Sequence, residues 1–128
     1  MADPEITRNA RSLFVAAVWL TVTGCATQQN HYAWGSYEDL IYVTHAKPGT
    51  LTPEDQVQRL EQDRLSARAA NKPLPPGWRA HLGYLYFQTG HADQAREELL
   101  AEKTVFPEST TFVDHLLANL AAAAGAAK

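Results

Sequence analysis

The chain has 128 residues, a formal net charge of −3 and one cysteine, which predicts about one domain and excludes a disulfide-stabilised scaffold. With 20% charged residues, seven Pro and seven Gly, the composition is typical neither of a disordered chain nor of collagen. The mildly acidic balance gives no electrostatic reason to expect a nucleic-acid partner.

Residues 1–24 have the pattern of an export signal. An uncharged, mostly apolar run of ten residues, at positions 13–22, follows Arg8 and Arg11, and it is shorter than the roughly 20 residues that a membrane-spanning helix needs. The next residues, Val22-Thr23-Gly24-Cys25, resemble the bacterial lipobox, in which the Cys receives a diacylglycerol. This resemblance implies cleavage before Cys25 and lipidation of its thiol. The alternative is a chance thiol in an apolar segment.

The residue after the cysteine bears on the destination of the protein. Position 26 is Ala, where lipoproteins that stay in the inner membrane often carry Asp, so the resemblance implies an anchor in the outer membrane, with the domain on the periplasmic face. We expect residues 25–33 to be the lipidated cysteine and a polar tether. Because the lipid would use the single thiol, no disulfide is available and the stability of the domain depends on packing alone.

The rest of the chain reads as helices separated by Pro and Gly, with little of the alternation that a sheet requires. We therefore expect an all-α domain over residues 34–122, followed by a flexible Ala-rich tail over residues 123–128. The predicted helices cover about residues 35–45, 53–70, 78–89, 92–105 and 110–122. The second has the clearest start, because Thr52 can cap it, Pro53 fits its first position and Asp55 completes a capping box.

Helical spacing selects the side chains that should face the core. These are Trp34, Tyr37, Leu40, Ile41, Val57, Leu60, Leu65, Trp78, Leu82, Leu85, Tyr86, Ala95, Leu99, Phe106, Phe112, Val113, Leu116, Leu117 and Leu120. The charged residues of the second helix are interpreted as a solvated face, namely Glu61, Asp63, Arg64 and Arg68. The same interpretation is favoured for the acids of the fourth helix over a pair of functional carboxylates. Those acids are Glu97, Glu98 and Glu102.

Residues 76–109 form a unit of 34 residues that resembles a tetratricopeptide repeat. The positions that carry the resemblance are Leu82, Gly83, Tyr86, Gly90, Ala95, Leu99 and Pro107. Gly83 and Ala95 lack bulk where the two helices should approach most closely. Two residues depart from the repeat pattern, since Trp78 stands one place early and Glu102 takes a position that usually holds Ala. The alternative is an unrelated helical hairpin.

The resemblance implies a fold of about two antiparallel hairpins of tetratricopeptide type. The first two helices would form the second hairpin of the stack, and the fifth helix would cap its open end. Two hairpins and a capping helix are close to the minimum that such repeats need to bury their faces.

Aromatic and Pro-Gly positions recur from residue 32 to residue 120. They are Tyr32-Ala33-Trp34-Gly35-Ser36-Tyr37-Glu38, Pro76-Gly77, Ala80-His81-Leu82-Gly83-Tyr84-Leu85-Tyr86, Ala101-Glu102-Lys103 and Phe106-Pro107-Glu108-Ser109. Together they resemble an uncharacterised family of small bacterial lipoproteins, the domain of unknown function 4810. Its members are similar in carrying a lipobox and tetratricopeptide-like helices, and are often encoded beside lipoproteins resembling the curli-type secretion channel family. The resemblance implies no established activity.

The sequence contains no constellation of residues typical of catalysis or metal binding. Its five histidines are scattered singly, and it lacks a P-loop, a G-x-S-x-G elbow and a G-x-G-x-x-G loop, so we expect no metal, no cofactor and no enzymatic activity. An enzyme acting on cell wall or lipid would need a deep polar pocket with perturbed acids.

The favoured interpretation is that the helical domain binds a partner through its surface. In the tetratricopeptide repeat the first helix of each pair lines a concave groove, which assigns Tyr84, Phe87 and Gln88 to a partner-binding groove, with Tyr42 and Val43 at the corresponding positions of the first hairpin. The alternative is that Tyr84 and Phe87 pack against the fifth helix or the first hairpin.

We therefore expect a non-catalytic adaptor that is anchored by lipid to the outer membrane and acts in an assembly of the cell envelope. Its expected partners are envelope proteins, other lipoproteins among them, and copies of itself. The alternative function is activation of a peptidoglycan synthase from the outer membrane, since lipoproteins with tetratricopeptide helices are also similar to such activators.

Overall fold

The computed structural model describes residues 30–126, so the predicted signal segment and Cys25 lie outside the described residues. The helices are α1 Tyr37–Ala46, α2 Pro53–Ala69, α3 Trp78–Gln88, α4 Ala92–Val105 and α5 Thr110–Ala126, with a short 3-10 helix at Pro107–Ser109. This part of the chain contains no strand, which confirms the all-α prediction. The bounds of α1 to α4 agree with the predicted ones to within two residues, whereas α5 includes residues 123–126, which were predicted as tail.

The ends of α2 are fixed by local hydrogen bonds. At its start Thr52 and Asp55 form the predicted capping box, in which Thr52 Oγ1 accepts from the Asp55 N–H at 3.1 Å and Asp55 Oδ2 accepts from the Thr52 N–H at 3.3 Å. At its end Asn71 adopts the left-handed conformation, with φ of 51°. The N–H of Lys72 then donates to Ala67 O at 2.9 Å, which is the bond of a Schellman motif and reverses the chain direction.

The helices α1 and α2 run antiparallel and are joined by side chains. Near the start of α1, Asp63 Oδ2 accepts from the Ser36 N–H at 2.8 Å and from the Ser36 hydroxyl at 2.7 Å. Near its end, the Thr44 hydroxyl donates to Gln56 Oε1 at 3.1 Å. Asp63 therefore satisfies an N–H at the start of α1 that its own residues leave unpaired.

The hairpin of α3 and α4 has the most extensive helix–helix contact in the described chain. Gly90, with φ of 81°, ends α3 as predicted, and the His91 N–H donates to Tyr86 O at 2.8 Å. A Cβ placed at Gly83 would lie 3.0 Å from the carbonyl oxygen of Ala95 and 3.0 Å from Leu99 Cγ. A side chain at position 83 would therefore crowd the backbone of α4, which would have to move by a few tenths of an ångström.

The core lies among all five helices, since α1 contributes Leu40 to it. Its buried hydrophobic side chains are Leu40, Leu60, Ala67, Trp78, Ala80, Leu82, Leu85, Tyr86, Ala95, Leu99, Phe106 and Val113. The predicted inner face of α3 is confirmed in full. Two other predictions are wrong, because the side chains of Leu65 and Phe112 are each 57% exposed. Leu65 lies about 140° around α2 from the buried Leu60, and Phe112 about 100° around α5 from the buried Val113.

The domain begins before the predicted boundary at residue 34. The ring of Tyr32 lies edge-on to that of Phe106, with 6.3 Å between centroids, and the Ala33 N–H donates to Pro73 O at 2.8 Å. Tyr32 and Ala33 therefore belong to the helical domain and not to the tether.

Candidate functional site

A groove of about 270 Å³ lies between α3 and α5. Its lining is mostly apolar and comprises Tyr37, Gly77, Ala80, His81, Tyr84, Phe112 and Leu116. The spacing of these residues explains their arrangement, since Ala80 and Tyr84 are four residues apart on α3, as are Phe112 and Leu116 on α5. Two helical stripes therefore line one groove, and its two largest exposed rings are Tyr84, 46% exposed, and Phe112, 57% exposed.

The groove contains one titratable imidazole, that of His81. Burial, and secondly the proximity of His45, lower the pKa of His81 below its ordinary value. Its ring lies edge-on to Tyr37, with 5.9 Å between centroids, and its Nε2 is buried with no hydrogen-bond partner among the described residues. Because the lowered pKa disfavours the charged form, His81 adds no positive charge to the groove at neutral pH.

The structure separates the residues that the sequence assigned to one groove. Tyr84 lies in the groove between α3 and α5, and the Gln88 side-chain amide donates to the Tyr84 hydroxyl at 3.1 Å. Gln88 itself lines another depression, beside Val43. Phe87 is half-buried and packs against the core, which is the alternative interpretation given for it. The assignment of Phe87 to the groove is therefore not supported.

Tyr42 lies in a further concavity of about 500 Å³ on α1. Its side chain is 66% exposed, and the remaining lining consists of Trp34, Tyr37, Glu38 and Ile41. Tyr37 lines both this concavity and the groove between α3 and α5. Tyr42 and Tyr84 therefore lie in adjacent concavities that have Tyr37 as a common lining residue.

Phe112 and Leu116 were both predicted to face the core. Leu116 does pack against the core and also lines the groove, whereas Phe112 faces the groove. A signal for them was present, because α5 carries apolar residues at 112, 113, 116, 117 and 120. These positions cover a wider arc than one buried stripe needs. Phe112 lies at the edge of that arc, where a side chain can face a groove instead of the core.

The predicted solvated face of α4 is wrong for Glu98, which is 9% exposed. Its carboxylate accepts from Arg64 Nη2 at 2.7 Å and from Arg79 Nη1 at 3.0 Å. The Arg64 guanidinium also lies over the ring of Trp78, 5.3 Å from its centroid. The burial of the Glu98 carboxylate is therefore matched by two charge-assisted hydrogen bonds, which join α4 to α2 and α3.

Glu61 of α2 extends this network, although the sequence predicted it on a solvated face. The Tyr86 hydroxyl donates to Glu61 Oε1, and Glu61 Oε2 lies 3.5 Å from Arg64 Nε. Burial, and secondly the hydrogen bond to Glu61, raises the pKa of Tyr86 to about 12. The Tyr86 hydroxyl therefore stays protonated and acts as a donor, which gives it a structural role.

Glu102 caps a neighbouring helix. Its side chain is 1% exposed, and its Oε1 accepts from the N–H of Gly77 at 2.6 Å. Gly77 stands at the cap position of α3 with φ of 84°, a conformation that favours glycine, and glycine has no side chain with which to cap. Glu102 supplies the missing acceptor from α4, which explains an acid at a position where the repeat pattern has Ala.

Among residues 30–126, no group of three or more His, Cys, Asp and Glu side chains is placed to hold a metal ion. None of the helices in the same range is both long and apolar enough to cross a membrane.

The chain matches a family of known proteins. The family described as "Domain of unknown function (DUF4810)" matches residues 31–116. No curated protein and no solved structure matches the chain.

Proposed function

The chain belongs to the DUF4810 family, whose description assigns no activity, and we propose that it is a non-catalytic adaptor that binds a partner protein through the groove between α3 and α5. The observation that carries this proposal is the pair of exposed aromatic rings, Tyr84 and Phe112, on opposite sides of one apolar groove. Exposed aromatic side chains in a groove are typical anchors for a partner.

The occupant that fits best is an amphipathic helix of the partner. The groove lies between two helices and is lined along their i and i+4 positions, which is the geometry that receives apolar side chains at i, i+3 and i+4 of a third helix. The neutral state of His81 favours an apolar face over an acidic one. We further propose that the two hairpins, α1 with α2 and α3 with α4, are of tetratricopeptide type, which would make α5 the capping helix.

The groove is tested by changing both of its exposed rings. Changing Tyr84→Ala and Phe112→Ala together should abolish capture of the partner in crosslinked cells, because both rings would be buried in the complex and alanine removes most of that contact area. The readout is the set of proteins crosslinked to the full chain, identified by mass spectrometry. Both rings are exposed, so the circular-dichroism melting curve should change little.

The matched control is Leu65→Ala, which removes an equally exposed apolar side chain from α2. Partner capture should persist in this variant. If the crosslinked proteins are the same in the double variant and in the unaltered chain, the groove is not the binding surface.

We also propose that the adaptor is held at the outer membrane by a lipid on Cys25. The support for this anchor is the pattern of an apolar run followed by Val22-Thr23-Gly24-Cys25. The intact mass of the protein purified from bacterial membranes should equal that of a chain beginning at Cys25 plus a diacylglycerol and an acyl chain. Cys25→Ser should remove the lipid mass and release the protein from the membrane fraction. A full-length unmodified chain would contradict the anchor.

A further inference from the structure

A separate concavity of about 250 Å³ lies where α2 ends and the loop before α3 begins. It is mainly polar, and four of its lining residues are cationic, which are Arg64, Arg68, Lys72 and Arg79. The chain as a whole has a net charge of −3. Four cations around one opening therefore reverse the sign of the protein locally.

The fold of the chain brings these four residues together from three segments. Arg64 and Arg68 are four residues apart and share one face of α2. Between them Ala67, which is 3% exposed, has a side chain too small to fill the space. The left-handed Asn71 and the bond from the Lys72 N–H to Ala67 O reverse the chain, which returns Lys72 to the end of α2. Arg79 then enters from the first turn of α3.

The charges in this pocket are only partly balanced. Glu98 pairs with both Arg64 and Arg79, at 2.7 and 3.0 Å, and Glu61 lies 3.5 Å from Arg64. Within residues 30–126, Arg68 and Lys72 are in no ion pair with an acidic side chain. Four positive charges against two carboxylates leave two positive charges in excess, and these are on the two exposed side chains.

We propose that this pocket, formed by Arg68, Lys72 and Arg79, binds a phosphomonoester group. An arginine donates two parallel hydrogen bonds to a phosphate and a lysine adds a mobile point charge, and a phosphomonoester carries close to the two negative charges that the pocket lacks. Glu98 holds Arg64 and Arg79 in place, so part of the site is formed before the ligand arrives. At about 250 Å³ the concavity is large enough to admit a phosphate and the first atoms of its substituent.

The same cations have a structural explanation, and the experiment must separate the two. Basic residues at the end of a helix interact favourably with its dipole. Arg68 and Lys72 could therefore stabilise α2 without binding any ligand. A purely structural role predicts that removal of these two cations changes the melting temperature. It also predicts that the unaltered chain does not bind phosphate.

The test is a titration of the full chain with inorganic phosphate, in a non-ionic detergent and at constant ionic strength. Binding is measured by isothermal titration calorimetry and by the chemical shifts of the backbone amides. Binding should saturate and shift the amides around Arg68, Lys72 and Arg79. Changing Arg68→Gln and Lys72→Gln together should weaken binding by about tenfold for each cation, as expected for the loss of a charge-assisted hydrogen bond.

The control is the double change Arg59→Gln and Arg96→Gln, which removes the same total charge from two exposed arginines outside the pocket. Phosphate affinity should stay within twofold of that of the unaltered chain. Absence of saturable binding overturns the proposal, and so does an equal loss of affinity in the two double variants, since that result would indicate only an overall charge effect.

A second arm identifies the source of the phosphate. Dihexanoyl phosphatidic acid presents the phosphomonoester on a lipid, and dihexanoyl phosphatidylcholine serves as its control. If phosphatidic acid binds more tightly than inorganic phosphate, and the Arg68 and Lys72 changes remove the gain, the ligand is a lipid headgroup. Equal affinities assign the pocket to a free phosphate group. This pocket shares no residue with the groove between α3 and α5, so the proposal stands or fails independently of the adaptor function.

Discussion

Changing Glu102→Ala is expected to lower the free energy of unfolding by about 3 kcal/mol. The Glu102 carboxylate, 1% exposed, accepts the N–H of Gly77 at 2.6 Å, so its removal leaves a half-buried donor unpaired at the start of α3 and creates a cavity. Loss of the negative charge also removes a favourable interaction with the dipole of α3. Urea denaturation of the full chain in detergent, followed by far-ultraviolet circular dichroism, measures the change.

Glu102→Gln is the control that separates these contributions. Glutamine keeps the size of the side chain and the oxygen that accepts from Gly77, so the expected loss is below about 1 kcal/mol. Equal losses in the Ala and Gln variants would show that the hydrogen bond to Gly77 is not the source of the stability.

The second large effect is expected at Trp78, whose side chain is fully buried. Changing Trp78→Ala should cost about 4 kcal/mol, because it removes the largest buried side chain and leaves a cavity between α2 and α3. It also takes away the ring over which the Arg64 guanidinium lies. A domain of this size is stabilised by only about 5–15 kcal/mol, so the variant should lose a large part of its free energy of unfolding.

The matched control for Trp78 is Trp34→Ala. Trp34 is half-buried, with its ring stacked on Tyr37 at 6.4 Å between centroids, and its removal should cost about 1 kcal/mol. Both variants are compared by their urea midpoints. A Trp78 variant as stable as the Trp34 variant would contradict the assignment of Trp78 to the centre of the core.

The positions of the helices were predictable from the sequence because their ends depend on neighbouring residues. Thr52 and Asp55 form a capping box within one turn, and Gly90 ends α3 through bonds to the residues just before it. The same is true of the inner face of α3, where every fourth or third residue is large and apolar. Local patterns of this kind depend little on tertiary context.

The burial of the acids on α4 was not predictable in the same way. The partners of Glu98 are Arg64 and Arg79, which lie 34 and 19 residues away, and an acid at helical spacing gives no indication of which distant cations will meet it. The groove was predictable in part. Tyr84 was predicted because the resemblance to the tetratricopeptide repeat assigns it to the groove-lining face of α3, whereas Phe112 was hidden among the other apolar residues of α5.

The caps on α1 and α3 have a consequence for how the domain unfolds. The N–H at the start of α1 is satisfied by Asp63 of α2, and the N–H at the start of α3 by Glu102 of α4. Neither α1 nor α3 is therefore complete without the helix that follows it in the chain. Opening of α4 exposes an unpaired end of α3, and opening of α2 does the same to α1, so local fraying at these ends is coupled to the loss of whole helices and the domain unfolds cooperatively.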